Sequence, residues 1–253
     1  MNYKMVLKSV AKVLILEGVL LLLPFVVSII YGESAKWAFL ITAGICVAAG
    51  LPFVLLIKPS STLVYSREGF VTVALGWIAA SLFGALPFVI SKDIPSYIDA
   101  LFETVSGFTT TGASILNDVE ALSKGALFWR SFTHWIGGMG LIVFIVAISK
   151  GGGRSIHVLR AEMPGPTVDK IAPRSKDTAI ILYLIYVAMT AFEVIMLLLG
   201  KMPFFEALLH SFGTAGTGGF GIRNDSLAGY SPYIQWVVAV FMILFSVNFN
   251  CYY

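Results

Sequence analysis

The sequence SGFTTTGAS occupies residues 106–114 and lies between two long apolar segments. This stretch is too polar and too rich in Gly and Thr to cross a bilayer as a helix. A second copy, GTAGTGGFG, occupies residues 213–221, and an offset of 107 residues aligns the two copies. At that offset, residues 95–118 and 202–225 share seven identities in 24 positions. The chain therefore contains an internal repeat, and each copy is built around a polar turn.

The composition is typical of a protein that crosses the bilayer several times. Hydrophobic residues make up 58% of the chain and charged residues only 12%, which excludes an ordinary soluble domain. The two cysteines, Cys46 and Cys251, lie far apart in apolar segments and are expected to act as small hydrophobic residues. We therefore predict no disulfide framework, no cofactor and no nucleic-acid partner.

Six apolar segments have the length of about 20 residues that a bilayer requires. They are residues 10–31, 37–57, 69–90, 126–149, 178–200 and 233–253. Two shorter apolar pieces, 95–107 and 203–213, precede the polar turns and have the length of re-entrant helices. We predict an all-α membrane protein with six transmembrane helices and two re-entrant pore helices. Its organisation is a two-helix leader (1–68), a first pore repeat (69–150), a basic linker (151–177) and a second pore repeat (178–253).

Lys and Arg are distributed unevenly over the connections between these segments. Eleven lie on one side of the predicted membrane and five on the other, which makes the first side cytoplasmic. Six spans then place both termini in the cytoplasm and both polar turns toward the outer face, so the repeats run parallel. The outer connections also carry eight acidic residues. Eight acidic residues against five basic ones favour cations at the outer mouth of a pore, although ordinary solvated loops explain most of the acidic residues equally well.

Gly and Thr suit a turn that binds a cation through its backbone. Non-helical backbone at membrane depth is tolerated only where it is buried in protein or lines water. Glycine permits the φ angles that direct successive carbonyl groups at one axis, and threonine adds a hydroxyl without bulk. Such carbonyls can replace the hydration shell of K⁺, whereas Mg²⁺ releases its water reluctantly. The half-helix before each turn would also end with its negative pole toward the ion.

Three further motifs accompany the first turn. Residues 129–140 begin WRS and end WIGGMG, residues 160–166 read RAEMPGP, and residues 218–221 read GGFG. Together with the turn, these motifs resemble the bacterial potassium uptake subunits of the Trk and Ktr systems, and specifically the TrkH family. The resemblance covers essentially the whole chain, including the two-helix leader.

The resemblance implies a pore of four repeats of helix, pore helix and helix (M1-P-M2), like those of K⁺ channels, in the bacterial inner membrane. It also implies a homodimer and a cytoplasmic nucleotide-binding regulatory subunit of the TrkA type. It assigns filter carbonyls to Thr110, Thr111, Gly112 and Ala113 in the first repeat, and to Thr217, Gly218, Gly219 and Phe220 in the second. The chain departs from the family in having two repeats only. We expect this to reflect truncation, with a fragment or a two-repeat unit that dimerises as the alternatives.

Several ionisable residues lie within apolar segments, and four of them have candidate roles. Arg130 is expected to pair with Glu103 on the first pore helix as a structural brace, because a fixed positive charge in the path would repel the ion. Glu17 and Glu193 interrupt apolar helices. They are interpreted either as coupling carboxylates or as groups that are protonated or paired with a neighbouring helix.

Small residues and histidines complete the candidate site. Gly137, Gly138 and Gly140 are expected to allow close helix packing, with a gating hinge at the first two as the alternative. In the hinge hypothesis, Gly138→Ala changes open probability without changing ion preference. His210, which aligns with Glu103, is expected to form a local hydrogen bond. Neither it nor His134 is expected to bind a metal or transfer protons.

The sequence therefore predicts potassium uptake through a pore, not an enzyme. One alternative is a truncated, non-conducting fragment or an interaction subunit of such a transporter, and another is a membrane-embedded enzyme. An intramembrane protease would need a Ser nucleophile beside a His or paired Asp residues within spans. No Asp lies within a predicted span, and Ser114 lies on the outer turn.

Overall fold

The computed structural model describes residues 2–57, 66–140, 175–247 and 249–252. Every regular element among these residues is helical. The helices are α1 (Tyr3–Leu20), α2 (Leu22–Ile30), α3 (Lys36–Leu56), α4 (Ser66–Gly84), α5 (Leu86–Ser91), α6 (Tyr97–Phe108), α7 (Lys124–Met139), α8 (Ser175–Leu199), α9 (Phe204–Ala215) and α10 (Pro232–Ser246), with a short 3₁₀ helix at Phe249–Tyr252.

Four helical segments in the described part of the chain are long and apolar enough to cross a membrane. They are Tyr3–Ile30, Lys36–Leu56, Arg67–Ser91 and Ala179–Leu199. The first and third are each interrupted at one residue, Leu21 and Ala85, shortly before Pro24 and Pro87. A proline removes one helical hydrogen bond and clashes with the preceding turn, which explains both breaks. The protein is therefore a membrane protein whose long helices include the two of the predicted leader.

Two predicted spans differ from the helices that are observed. The segment 126–149 begins as α7, which ends at Met139, and residues 141–174 lie outside the described residues, as does nearly all of the predicted linker. The segment 233–253 contains the 15-residue helix α10, which ends because Val247 has extended φ and ψ angles of −71° and 141°. A helix of 15 residues is about 22 Å long and is shorter than the hydrocarbon core of a bilayer.

The short helices α6 and α9 lie where the two pore helices are predicted, with ends shifted by one or two residues, and we keep that name for them. α6 packs against α4 and α7, while α9 packs against α7, α8 and α10. The aromatic residues Phe108, Trp129 and Phe132 belong to the core around α6 and α7, whereas Tyr186 and Phe241 belong to a second core around α8 and α10. Since α7 contacts both pore helices, it forms a common wall between the two repeats.

Candidate functional site

The turns after the two pore helices have the same backbone conformation. Both helices contain 12 residues, and the offset of 107 superimposes their ends. In the first turn Thr110 and Gly112 have positive φ angles of 54° and 73°, and in the second Thr217 and Gly219 have 58° and 66°. A left-handed conformation costs a threonine about 1–2 kcal/mol. Its occurrence at the same place in both copies indicates that the surroundings impose it.

Backbone hydrogen bonds repeat in the same register. Thr110 N donates to Gly107 O at 3.0 Å, and Thr217 N donates to Thr214 O at 2.8 Å. One step further on, Gly112 N donates to Ser106 O at 3.4 Å, and Gly219 N donates to Gly213 O at 3.2 Å. Each turn thus closes on the last residues of its own pore helix, and the internal repeat extends to individual backbone bonds.

The two turns lie against each other. A methyl group added to Gly112 would overlap the carbonyl oxygen of Gly218, and one added to Gly218 would lie 2.6 Å from Thr110 O. Glycine is therefore required at both positions by the neighbouring backbone. By contrast, a methyl group on Gly219 would meet no atom of the described residues within 4 Å. The second turn is open on the side that, in the first turn, faces its neighbour.

A buried ion pair holds both turns. Arg130 Nε lies 2.8 Å from Glu103 Oε2, and both residues are almost completely buried. The other oxygen of Glu103 accepts hydrogen bonds from Ser114 Oγ at 2.7 Å and Ile115 N at 2.6 Å. The expected pair between α7 and the first pore helix is thus present, and it also fixes the residues that follow the first turn.

Arg130 reaches the second turn as well. Its Nη1 donates to Gly221 O at 2.6 Å, and its guanidinium lies 3.4 Å from the ring centre of Phe220. Such stacking on an aromatic face is favourable when the cation is desolvated. A single side chain therefore ties the first pore helix to the backbone of the second turn.

His134 supports the second turn in a way that the sequence did not reveal. Its Nε2 accepts a hydrogen bond from Gly218 N at 3.2 Å, and its ring stacks on Phe220 with centroids 5.2 Å apart. His134 lies four residues after Arg130, so the two share one face of α7. The spacing of four residues indicates that the two side chains share a face. It does not identify the segment that this face contacts.

No equivalent brace is present among the described residues of the second repeat. His210, which aligns with Glu103, forms the expected local contact, with Nε2 lying 3.2 Å from Tyr230 Oη. Tyr230 donates to Glu206, and Arg223 Nη2 donates to the same carboxylate at 3.0 Å. Burial and the bond to Glu206 raise the pKa of Tyr230, which keeps its hydroxyl a donor. This network lies toward the loop, and a cavity of about 150 Å³ behind the turn is lined by His210, Gly219, Phe220, Ser226 and Met242, among others.

The loops after the two turns are joined by Asn224. Its Nδ2 donates to Asp118 Oδ1 at 2.9 Å, while its Oδ1 accepts from Val119 N at 2.8 Å. Its own backbone N donates to Glu120 at 3.2 Å. The bond from Asn224 lowers the pKa of Asp118, with a contribution from backbone N–H groups nearby. This set of contacts, which we call the Asn224 clasp, connects the loops that follow the two turns.

The glycines of α7 contact both pore helices. A methyl group on Gly137 would overlap Phe108 O, and one on Gly138 would lie 2.5 Å from Tyr186 Oη and 3.0 Å from Ala215 O. Phe108 and Ala215 are the last residues of the two pore helices. Gly140 ends α7 with a φ angle of 87°. Gly137 and Gly138 therefore allow the close packing that the sequence analysis expects.

Some of the acidic residues that are predicted on the outer side serve the fold. Glu33 accepts hydrogen bonds from Lys124 N at 2.6 Å and Gly125 N at 3.1 Å, and Asp93 accepts from Ser123 N at 2.9 Å. They satisfy N–H groups at the beginning of α7, where a negative charge is favoured. Within the described ranges, no group of three or more His, Cys, Asp or Glu residues could hold a metal ion.

The sequence of this chain matches a known protein family and several of its members. Residues 36–253 match the family described as "TrkH: Cation transport protein". The chain is 38% identical to the Trk system potassium uptake protein TrkH of Salmonella typhimurium and 36% identical to that of Escherichia coli strain K12. Both alignments cover 100% of this chain and 53% of the relative.

A solved structure gives the same result. The chain is similar to the crystal structure of the potassium transporter TrkH from Vibrio parahaemolyticus, with a TM-score of 0.85 and 32% identity. That similarity covers 100% of this chain and 51% of the other. The chain thus spans about half the length of the curated relatives it matches. Since the family match covers most of its residues, this chain belongs to the TrkH family of cation transport proteins.

Proposed function

We propose that the chain forms part of a potassium uptake pore. The observation that carries this proposal is the pair of adjacent turns with left-handed residues in the same register and Gly112 against Gly218. In this proposal, backbone carbonyls replace the water of K⁺. They belong to Thr110, Thr111, Gly112 and Ala113 in the first turn and to Thr217, Gly218, Gly219 and Phe220 in the second.

The charges around the turns support this reading. The charge of Arg130 is neutralised by Glu103, and its Nη1 donates a hydrogen bond to Gly221 O. Its positive charge is therefore held behind the turns. The pore helices end at the turns, and their negative poles favour a cation there. The relatives are named potassium uptake proteins, and their ion is the one that the turn chemistry suits.

The remaining features of the proposal follow the family. The two short helices are re-entrant pore helices, and six segments cross the bacterial inner membrane with both termini in the cytoplasm. The functional unit is a homodimer that a cytoplasmic nucleotide-binding subunit of the TrkA type regulates. Ion movement follows the electrochemical gradient and requires no enzymatic step.

Rubidium uptake into liposomes tests the proposal. Protein reconstituted by itself should take up ⁸⁶Rb⁺ down an imposed gradient, and excess K⁺ should compete with it. Replacing Gly112 or Gly219 by a bulky residue should abolish the flux. Flux that persists in both variants would contradict the filter assignment.

The alternative is a non-conducting fragment or an interaction subunit of such a transporter. This alternative arises because the chain covers only about half of each relative's length. It predicts a folded, monodisperse protein that takes up no rubidium alone. Uptake that appears only with a longer family member present would support this alternative.

A further inference from the structure

Two buried carboxyl groups are not used by the filter. Glu17 on α1 is 1% exposed and Glu193 on α8 is 0% exposed. None of their four carboxyl oxygens has a hydrogen-bond partner among the described residues. An unpaired carboxylate in an apolar interior is costly, so groups of this kind in a membrane require an explanation.

Glu193 lies behind the second pore helix. Its helix, α8, packs against α9, and the Thr214 side chain in the last turn of α9 lies beside the carboxyl group. The Thr214 hydroxyl already donates its proton to His210 O at 2.9 Å. With its proton directed at His210 O, the Thr214 hydroxyl offers Glu193 lone pairs, which a protonated carboxyl group can use and a carboxylate cannot.

Glu17 occupies the corresponding place behind the first pore helix. A methyl group on Gly84 would lie 2.8 Å from Glu17 Oε1, 3.0 Å from Thr104 Cγ2 and 3.2 Å from Phe108 Cε2. The carboxyl group thus meets α4 at a glycine, beside the last two turns of α6. The Thr104 hydroxyl donates to Ala100 O at 2.7 Å, so its proton is also committed.

The register of the two repeats makes this correspondence specific. α5 and α8 are each followed by a lysine in the left-handed conformation, Lys92 with a φ angle of 65° and Lys201 with 64°. The two lysines lie 109 residues apart, two more than the offset of the turns, so the first helices of the repeats align on these lysines and not on the offset of 107. Counted back from the lysines, Gly84 and Glu193 both lie eight residues earlier. The second repeat therefore carries its carboxyl group on its own first helix. The first repeat has a glycine there, and the leader helix α1 fills the space with Glu17.

We propose that Glu17 and Glu193 are a matched pair of proton-binding sites, one behind each pore helix, and that the leader helix supplies the site of the first repeat. Each site binds H⁺ by forming an O–H bond on a carboxylate oxygen, which removes one negative charge. Among the residues that the structure describes, the titratable groups that interact with the pair are Cys46 of α3 toward Glu17 and Tyr186 of α8 toward Glu193. Neither supplies a positive charge that could hold a carboxylate.

The consequence for transport rests on the proposed function. The pore helices direct their negative poles at the ion site, and a carboxylate behind their last turns adds to the same field. Proton release from Glu17 or Glu193 therefore strengthens cation binding at the turns, and proton binding weakens it. The leader thus takes part in setting the ion affinity of the first repeat.

Infrared spectroscopy tests the protonation state without requiring transport. The C=O stretch of a protonated acid is separate from the bands of a carboxylate. In reconstituted protein at neutral pH, Glu17→Gln and Glu193→Gln should each remove one protonated-acid band. Glu33→Gln, which removes a carboxylate that caps α7, is the matched control and should change carboxylate bands only. If the Glu17 and Glu193 variants also change carboxylate bands only, the proposal is wrong.

A transplant tests the correspondence of the two sites. Gly84→Glu alone should strongly lower thermal stability, because two carboxyl groups then compete for one space. Combining it with Glu17→Ala moves the group from α1 to α4, as in the second repeat, and should restore both stability and the protonated-acid band. A double variant that is no more stable than Gly84→Glu alone would overturn the equivalence.

Rubidium uptake then tests the consequence. Raising the pH until the acid bands disappear should lower the rubidium concentration for half-maximal uptake several-fold in the unmodified protein. The double variant Glu17→Gln, Glu193→Gln should show no such shift. A shift of the same size in the double variant would overturn the role in ion affinity, whereas absent flux in every protein would contradict the proposed function and leave the infrared result intact.

Discussion

Two glycines at equivalent positions have different surroundings. Gly112 and Gly219 share a positive φ angle, but only Gly112 faces the backbone of the neighbouring turn. Gly219 therefore needs glycine only for its positive φ angle, whereas Gly112 needs it also because a side chain would overlap the neighbouring turn. Substitution at the two positions measures the contact between the turns directly.

We predict that Gly112→Ala is much more harmful than Gly219→Ala. Each alanine accepts a left-handed conformation at a cost of about 1–2 kcal/mol. Only the methyl group at Gly112 also overlaps Gly218 O, which adds roughly 1–3 kcal/mol or more of overpacking. Thermal unfolding in detergent measures the difference, with Gly219→Ala as the control. Equal losses of stability would contradict the adjacency of the turns.

The buried pair gives a second prediction at the level of single residues. Arg130→Gln leaves Glu103 buried without its cation and should lower stability by about 3–5 kcal/mol. Adding Glu103→Gln removes the uncompensated charge, and its amide oxygen still accepts from Ser114 Oγ and Ile115 N. The double variant should therefore be more stable than Arg130→Gln alone. Denaturant unfolding of the four proteins forms the cycle, and additive losses would count against the pair.

At the level of elements, the two repeats meet at their turns, at α7 and at the Asn224 clasp. The clasp links the loops that follow the two turns, so it holds these loops together. It depends on an exposed carboxylate, Asp118, which accepts the Asn224 amide. Protonation of that carboxylate removes the better acceptor, which makes the clasp sensitive to acid.

The Asn224 clasp should loosen as the pH falls. The pKa of Asp118 is lowered in the folded protein, so its contribution is fully present above the usual range of an Asp and is lost as the pH falls through the lowered value. Asn224→Ala should return that pKa toward the usual value of about 3.9. Carbon-13 NMR of labelled Asp carboxyl groups measures the change. An unchanged titration of Asp118 in the variant would show that Asn224 does not contribute.

At the level of the whole molecule, four long helices match four of the six predicted spans, whereas α7 and α10 are shorter than predicted. The orientation still rests on the unequal distribution of Lys and Arg. It predicts that the Asn224 clasp lies outside the cell and the beginning of α1 inside, which labelling can decide.

We predict that Glu120→Cys reacts with a membrane-impermeant thiol reagent added to intact cells, whereas Lys4→Cys reacts only after the membrane is opened. Of the two native cysteines, Cys46 is buried and should stay unreactive, and Cys251 is replaced by Ser in both variants. Mass spectrometry of the labelled peptides measures both reactions. Labelling of Lys4→Cys in intact cells would reverse the orientation.

The sequence predicted what depends on local pattern. Composition and length located the apolar helices, the internal repeat located both polar turns, and the need to neutralise a buried cation paired Arg130 with Glu103. It could not predict that Gly112 meets Gly218, that His134 supports the second turn, or that Glu17 fills the space beside Gly84. These contacts join segments far apart in the chain, and no local periodicity records which face of one helix meets which face of another.

The common wall formed by α7 has a consequence for how this chain can change over evolutionary time. Duplicated units normally diverge independently, because each mutation is tested within its own copy. Here Arg130, His134 and Gly138 of α7, which belong to the first copy, contact groups in the second copy. A substitution in α7 that improves the packing of one copy therefore also alters its contacts with the other copy. We expect the two copies to accumulate substitutions together.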